Sequence, residues 1–175
     1  MSNIKLTLYQ RTKLDESDDS IFYSDPRYVH HLDKNFRDRL TKLYSTFIPE
    51  SSIILDLMSS WVSHLPNKKY QKVIGHGLNE MELSKNKSLD QYWVQDLNQD
   101  FILPLDDNSV DFTLLVAGWQ YLQYPELISS ELNRITKEHG YLIISFSNRA
   151  FWNKSPNIWV ESTEKQRIEY VTSIL

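Results

Sequence analysis

Apolar runs of strand length alternate with amphipathic segments along most of the chain. The runs are rich in consecutive Val, Ile and Leu residues, as in the stretch "VDFTLLVAG". Strands that are covered on both faces have this pattern, so the runs predict a mainly parallel sheet. The predicted strands are residues 52–57, 71–76, 91–97, 110–118 and 141–147.

Helical periodicity fills the segments between these runs. The longest amphipathic segment spans residues 25–48, where apolar side chains recur at three- and four-residue steps from Val29 to Phe47. Right-handed crossovers between parallel strands then give a doubly wound α/β fold. We expect an irregular N-terminal arm over residues 1–24 and a single domain over 25–175. The other predicted helices are residues 59–65, 79–86, 124–138 and 158–175.

Composition and charge narrow the function classes. The 175 residues carry a net charge of −4, with acidic and basic residues interspersed and no basic face for nucleic acid. No stretch approaches the ~20 apolar residues of a membrane span. The absence of cysteine rules out disulfides and thiolate metal sites, and we expect a cytoplasmic protein. His30 and His31 point ~100° apart on a helix, so packing is favoured over metal binding, and no metal is expected.

The carboxyl ends of parallel strands are where such sheets bind ligands. Three tryptophans and a tyrosine follow strand ends and predict a lined substrate pocket: Trp61, Trp119, Tyr121 and Trp152. Ordinary packing of each tryptophan stays open as an alternative. Polar and small residues at the same ends are candidate cofactor ligands: Asp56, Ser59, Ser60, Gly77, Asn79, Asp96, Leu97 and Gly118.

The order of these features resembles the class I S-adenosylmethionine-dependent methyltransferases. The stretch "QDLNQDFILPLDDNSVDFTLLVAGWQYLQYPELISSELNRITKEHGYLIISFSN" is similar to that family's acidic residue, "LPF-x-D-x-S-F-D" loop, apolar strand, aromatic turn and helix. The resemblance implies that S-adenosylmethionine is the cofactor and that methyl transfer is the reaction. It also implies that Asp96 meets the adenine amino group and that Asp56 stands at the acidic position after the first strand. The helix predicted over residues 25–48 corresponds to that family's lid helix.

The chain departs from this family where glycines and an acid are expected. Met58 and Ser60 stand at glycine positions of the family's first motif, and Gly77 stands where an acidic residue holds the ribose hydroxyls. Ser59 and Ser60 at a helix N-terminus can receive the cofactor carboxylate instead. The other candidate substitutes are Asn79 or Glu80 for the ribose, and Trp61 or Trp119 for the sulfonium.

Three functions therefore stay open. Methyl transfer to a small-molecule or protein acceptor is favoured, because the N-P-P-Y type run of nucleic-acid amino-methylating enzymes is missing after strand four. A non-catalytic binding or scaffold module is the first alternative. A nicotinamide-dependent oxidoreductase is weaker, because G-x-G-x-x-G is absent. No residue is assigned as a catalytic base, and alignment alone can accelerate methyl transfer.

The predicted sheet has one exposed edge. The family sheet has seven strands, whereas only five are predicted here, so the fifth strand, residues 141–147, lies at an edge. An unpaired apolar edge tends to recruit a partner. We expect a shortened form of a longer protein, a cover by the alternating segment 4–10, or self-association through this strand.

Overall fold

The computed structural model describes residues 5–175 and is built on a parallel sheet of five strands. The strand order is β3-β2-β1-β4-β5, and all four pairings are parallel. This arrangement confirms the predicted doubly wound α/β fold and the edge position of the fifth strand. The strands are β1 (Ile53–Leu57), β2 (Lys72–Gly77), β3 (Gln91–Val94), β4 (Val110–Val116) and β5 (Thr136–Ser145).

Helices cover both faces of the sheet, because successive strand residues point to opposite sides. Ile54 belongs to an apolar cluster with Leu40 and Tyr44, whereas Leu55 belongs to a second cluster with Leu132. Among the described residues, none of the helices is both long enough and apolar enough to cross a membrane. The helices are α1 (Leu8–Arg11), α2 (Asp19–Phe22), α3 (Lys34–Phe47), α4 (Glu80–Lys85), α5 (Pro125–Ile135), α6 (Asn157–Val160) and α7 (Glu164–Ile174).

The first long helix is shorter than the predicted span of residues 25–48. It begins at Lys34 because the Asp33 carboxylate caps it, with Oδ1 accepting the amide of Phe36 at 2.9 Å. The buried face also differs from the predicted stripe, since Tyr44 is fully buried whereas Phe47 is 58% exposed. The segment before Lys34 therefore does not extend the helix.

Two other helix predictions are wrong. Residues 59–65 form no helix, because hydrogen bonds to β2 and α4 hold that segment as an irregular turn. The C-terminal segment 158–175 divides into α6 and α7, and Thr163 caps α7 in a capping box with Gln166. The predicted helices 79–86 and 124–138 are present with shorter bounds, as α4 and α5.

The N-terminal arm is ordered by two short helices, α1 and α2. The segment 4–10 was expected to cover the edge of the sheet as a strand, and this prediction is wrong for residues 5–10. Thr7 caps α1 in a capping box with Gln10, which ends any extended conformation there. Ile4 lies outside the described residues. The arm instead reaches the C-terminal segment, where the backbone of Lys13 forms an isolated antiparallel β-bridge with Pro156.

No strand pairs with the outer edge of β5 in the part of the chain that the structure describes. Helix α7 covers one face of β5, where Val171 faces Leu142 across a shallow groove. The backbone groups along the outer edge have no strand partner, and Tyr141 is 58% exposed. Self-association through this edge therefore stays a prediction.

We expect the sedimentation coefficient to rise with protein concentration, because β5 can pair with a second copy. Tyr141→Lys should reduce this rise, since a charge on an edge strand opposes pairing. Tyr92→Lys, on the opposite edge strand β3, is the matched control and should change the rise less. Sedimentation velocity that shows a monomer at every concentration would contradict the prediction.

A buried ionic cluster fastens the arm to the C-terminal segment. Lys13 Nζ lies 2.5 Å from Asp19 Oδ2, and Lys154 Nζ lies 3.4 Å from the other oxygen of the same carboxylate. Lys154 Nζ also lies 3.2 Å from Asp15. The side chains of both lysines are at most 2% exposed. Asp19 is therefore the counter-ion that makes burial of the two ammonium groups tolerable.

Asp19→Ala should lower the free energy of unfolding by about 3–5 kcal/mol, because it leaves a buried ammonium group without a partner. Urea denaturation measures this loss. Asp38→Ala, which removes the carboxylate of the exposed Lys34–Asp38 pair, is the control and should stay within about 0.5 kcal/mol of the parent. Equal effects of the two substitutions would show that the cluster does not stabilise the arm.

Candidate functional site

A cavity of about 430 Å³ opens at the carboxyl ends of β1 to β4. This volume is within the usual range of small-molecule sites. The cavity lies where the sequence predicts a site, and its wall contains all eight candidate cofactor ligands. Those ligands are Asp56, Ser59, Ser60, Gly77, Asn79, Asp96, Leu97 and Gly118, and Tyr121 of the predicted substrate pocket joins them.

The three tryptophans of the predicted substrate pocket do not line this cavity. Trp119 begins a short 3-10 helix that turns its ring into the core, where it is 1% exposed. Trp152 lies on the surface under the guanidinium of Arg167. Trp61 packs against His30 with ring centroids 4.8 Å apart. Trp119 is therefore too buried to line a substrate pocket, whereas the roles of Trp61 and Trp152 stay predictions.

Asp56 lies at the end of β1 and is 2% exposed. Its Oδ2 accepts a hydrogen bond of 2.6 Å from the Ser59 hydroxyl. Burial raises the pKa of Asp56 to about 6, and the hydroxyls of Ser59 and Ser63 oppose the rise. No helix follows Asp56, so it does not cap one; its carboxylate instead orders the turn after β1.

The turn after β1 is held by His76 of β2. The amide of Ser59 donates to the His76 carbonyl at 2.5 Å, and the amide of Met58 donates to its ring Nδ1 at 3.1 Å. Nε2 lies 2.9 Å from the carbonyl of Gln95 and donates to it, because Nδ1 is already an acceptor. Burial lowers the pKa of His76 to about 4, so the ring stays neutral at pH 7.

Two glycines make room for this turn. A Cβ on Gly77 would lie 2.6 Å from the carbonyl oxygen of Ser59, and a Cβ on Gly118 would lie 2.8 Å from Cβ of Met58. Met58 itself has a positive φ of 55°, the region that glycine adopts most easily. The glycines are therefore not in the turn itself but on the segments that face it, at the ends of β2 and β4.

Asn79 and Asp96 have different freedom to bind a ligand. Asn79 caps α4 through Oδ1, and its amide group donates to the carbonyls of Tyr23 and Ser24, so its side chain is fully engaged. Asp96 accepts the amide of Asn98 through Oδ1, while Oδ2 accepts no hydrogen bond from the described residues. Burial raises the pKa of Asp96. Asp96 thus keeps a free oxygen in the cavity wall.

The N-terminal segment before α3 covers the cavity. The resemblance implied a lid-type helix over residues 25–48, but the part that covers the cavity is not helical. Arg27 lies over the rings of Phe22 and Phe151, and its amide donates to Glu82 Oε1 at 2.6 Å. The other Glu82 oxygen accepts the hydroxyl of Ser60, so one carboxylate joins the cover to the turn after β1. The aromatic and basic run "FYSDPRYVHH" was the available signal, because such residues rarely fill a solvated arm.

Histidines gather at one side of the cavity without forming a metal site. His30, His31 and His64 all belong to the wall, although the sequence favoured packing roles for the first two. The centroids of His30 and His64 are 6.4 Å apart. Within residues 5–175, no group of three or more His, Asp or Glu side chains is placed to hold a metal ion.

Comparison with known proteins connects this geometry to one superfamily. Residues 59–144 match the family model of a methyltransferase domain. No curated protein matches the chain in sequence. An S-adenosylmethionine-dependent methyltransferase from Aquifex aeolicus shares 19% identity with a TM-score of 0.56, and the match covers 87% of this chain and 84% of that one.

Two further solved structures share the fold. A methyltransferase from Haloferax volcanii, in complex with the activator Trm112, is 21% identical with a TM-score of 0.50, over 63% of this chain and 52% of that one. The cyclase SpnF is 16% identical with a TM-score of 0.57, over 78% and 56%. This chain spans about half the length of several structures that it matches.

The family match and the shared fold point to the same class. Residues 59–144 are similar to a methyltransferase domain, and the fold is that of the class I S-adenosylmethionine-dependent methyltransferases. The resemblance recognised in the sequence is thereby confirmed. The roles of individual residues do not follow from the fold alone, since one fold serves several chemistries.

Asp56→Asn should stabilise the protein more at neutral than at acidic pH. The pKa of Asp56 rises from 3.8 to about 6 on folding, so the parent loses stability as the pH increases through that window. Asn does not titrate. The variant should gain about 3 kcal/mol relative to the parent between about pH 4 and pH 7.5, measured by urea denaturation. Asp106→Asn, at an exposed position, is the control; a pH-independent difference for Asp56→Asn would contradict the assignment.

Proposed function

We propose that the protein binds S-adenosylmethionine in this cavity and transfers its methyl group to a small-molecule or protein acceptor. The observation that carries the proposal is the cavity at the carboxyl ends of β1 to β4, with the free Oδ2 of Asp96 in its wall. The match of residues 59–144 to a methyltransferase domain supports the same reaction in general terms. The cytoplasmic location expected from the sequence is part of this proposal.

The β3 side of the cavity fits an adenine ring. Asp96 Oδ2 can accept a hydrogen bond from the exocyclic amino group, because this carboxylate oxygen is an acceptor without a donor among the described residues. Leu97, which is 3% exposed, belongs to the apolar core and offers a hydrophobic wall beside that carboxylate. Gly118 faces the same space from the end of β4. These three residues are our assignment for the nucleoside part of the cofactor.

The turn after β1 does not form the helix-terminal anion site that the sequence predicts. The amide of Ser59 is engaged with His76, and the hydroxyls of Ser59 and Ser60 donate to Asp56 and Glu82. These groups therefore shape the wall and are not themselves free to bind a carboxylate. Gly77 and Asn79 are also committed to packing and capping, so a ribose contact by either is not part of the proposal.

The chemistry requires alignment above all. S-adenosylmethionine, when bound, supplies an electrophilic methyl group on a sulfonium, and an acceptor nucleophile displaces the thioether as the carbon–sulfur bond breaks. The covering residues Tyr23, Arg27 and Phe151 narrow the entrance and limit water near the reacting atoms. Tyr121 lines the cavity, and its hydroxyl accepts the amide of Phe151 at 3.0 Å, which positions that cover. No side chain is assigned as a base.

The cover and the charge favour a compact acceptor. The entrance passes beside the N-terminal segment, so a small molecule or a single protein side chain fits better than a nucleic acid. The net charge of −4 acts in the same direction. A non-catalytic module that binds no cofactor is the competing function, and it is favoured only by the engaged amides of the turn after β1.

Asp96→Ala should raise the dissociation constant of S-adenosylhomocysteine by roughly ten- to a hundredfold, because a charge-assisted hydrogen bond to the adenine amino group is lost. Isothermal titration calorimetry measures the change. The exposed Asp106→Ala, which removes the same charge outside the cavity, is the control and should bind like the parent.

Two results would count against the proposal. Failure of the folded parent to bind S-adenosylhomocysteine would favour the non-catalytic module. Unchanged affinity in a folded Asp96→Ala variant would remove Asp96 from the site while leaving cofactor binding intact. Circular dichroism of each variant separates loss of binding from loss of fold.

A further inference from the structure

The cavity wall contains three arginines without carboxylate partners. Arg27, Arg37 and Arg149 all line the cavity, and none lies within ion-pair distance of an Asp or Glu side chain in residues 5–175. Two of them have other stabilising contacts. Arg27 donates to the carbonyl of Phe22 at 2.7 Å and stacks on aromatic rings, and the exposed Arg149 donates to the carbonyl of His31 at 3.3 Å.

Arg37 differs from the other two. It lies in the first turns of α3, and its Nε is buried without any hydrogen-bond acceptor among the described residues. A buried guanidinium N–H that lacks an acceptor is costly, so such a group usually meets a ligand or a water. Arg37 therefore marks the place in the wall where an acceptor is missing.

The groups around Arg37 are basic. Burial, together with the charges of nearby His30 and Arg37, lowers the pKa of His64 to about 4. No acidic group contributes to that change. His64 also has a φ of 56°, a conformation that costs energy in a non-glycine residue and is often retained at binding sites. His64 is thus held in the cavity wall at an energetic cost, as a neutral imidazole near pH 7.

The acids of the cavity wall are engaged elsewhere. Asp19 is paired with Lys13 and Lys154, Asp56 accepts the Ser59 hydroxyl, and Glu82 accepts the Arg27 amide. Asp96 lies at the end of β3 and carries the proposed adenine contact. The positive charge near α3 is consequently not neutralised by the protein itself.

We propose that Arg37, with His30 and His64 beside it, forms a subsite for an anionic group of the ligand, a carboxylate or a phosphate. The inference deepens the proposed function and rests on it for the identity of the ligand. The group is either the carboxylate of the cofactor, which the engaged amides of the β1 turn do not hold, or an acidic group on the acceptor. Both sources present oxygen acceptors to a guanidinium, which binds them in the same geometry.

Calorimetry with two nucleosides distinguishes the sources. S-adenosylhomocysteine carries the carboxylate, whereas 5′-methylthioadenosine lacks it. If the cofactor supplies the anion, Arg37→Leu should weaken S-adenosylhomocysteine binding roughly ten- to a hundredfold and leave 5′-methylthioadenosine unchanged. Arg37→Lys should retain part of the affinity, and Arg39→Leu, at an exposed position of the same helix, should behave like the parent.

Inorganic phosphate tests the acceptor source without any cofactor. In the parent, phosphate should shift the NMR ring signals of His64 and His30, with the exposed His139 as an internal reference, and Arg37→Leu should abolish the shifts. A subsite for the acceptor gives these shifts together with unchanged S-adenosylhomocysteine binding in Arg37→Leu. Unchanged binding and no phosphate-dependent shifts in the parent would overturn the subsite. If neither nucleoside binds the parent, the proposed function fails, and the phosphate titration still decides the subsite.

Discussion

His76 holds the turn that forms one wall of the candidate site. The His76 carbonyl accepts the amide of Ser59, and ring Nδ1 accepts the amide of Met58. The other ring nitrogen donates to the carbonyl of Gln95, which follows β3. One neutral imidazole thus connects the carboxyl ends of three strands. Because the side chain is 1% exposed, these hydrogen bonds do not compete with water, and their loss would leave buried donors without partners.

The arrangement explains how a turn without glycine can exist in this fold. Met58 adopts a positive φ that glycine would adopt at no cost, and hydrogen bonds to His76 fix that conformation. The space that its side chain needs is provided by Gly118, and the space for the Ser59 carbonyl is provided by Gly77. The larger side chain therefore lies in the turn, and the glycines lie on the two segments that face it. The turn then shapes the cavity, and in our proposal Arg37 of α3 takes over the binding of the anionic group.

The strands were predictable because their signal is local. Consecutive apolar residues such as Ile53 to Leu55 are compatible with few structures other than a buried strand, and parallel order follows from the alternation with helices. The position of Asp96 at the end of β3 followed from the same reasoning. By contrast, residues 59–65 carry serines that suit a helix N-terminus and apolar residues at helical spacing. Contacts with His76 and with Asn86 of the following segment outweigh that local preference.

The cover of the site depends on contacts between residues far apart in the chain. Asp19 forms a buried ion pair with Lys154, which lies far along the chain, and Arg27 packs on Phe151. No local pattern encodes such pairs, so the sequence predicts an irregular arm and places Trp119 in the pocket. Trp119 shows the reason, because a single turn of 3-10 helix suffices to direct its ring into the core.

A crystal structure of the protein with S-adenosylhomocysteine tests the central claim most directly, which is that the His76-held turn forms part of a cofactor site. The adenine amino group should lie within hydrogen-bond distance of Asp96 Oδ2, with the amides of Met58 and Ser59 still donating to His76. A ligand outside this cavity, or a turn that has released His76 and presents both amides to the ligand, would contradict this claim.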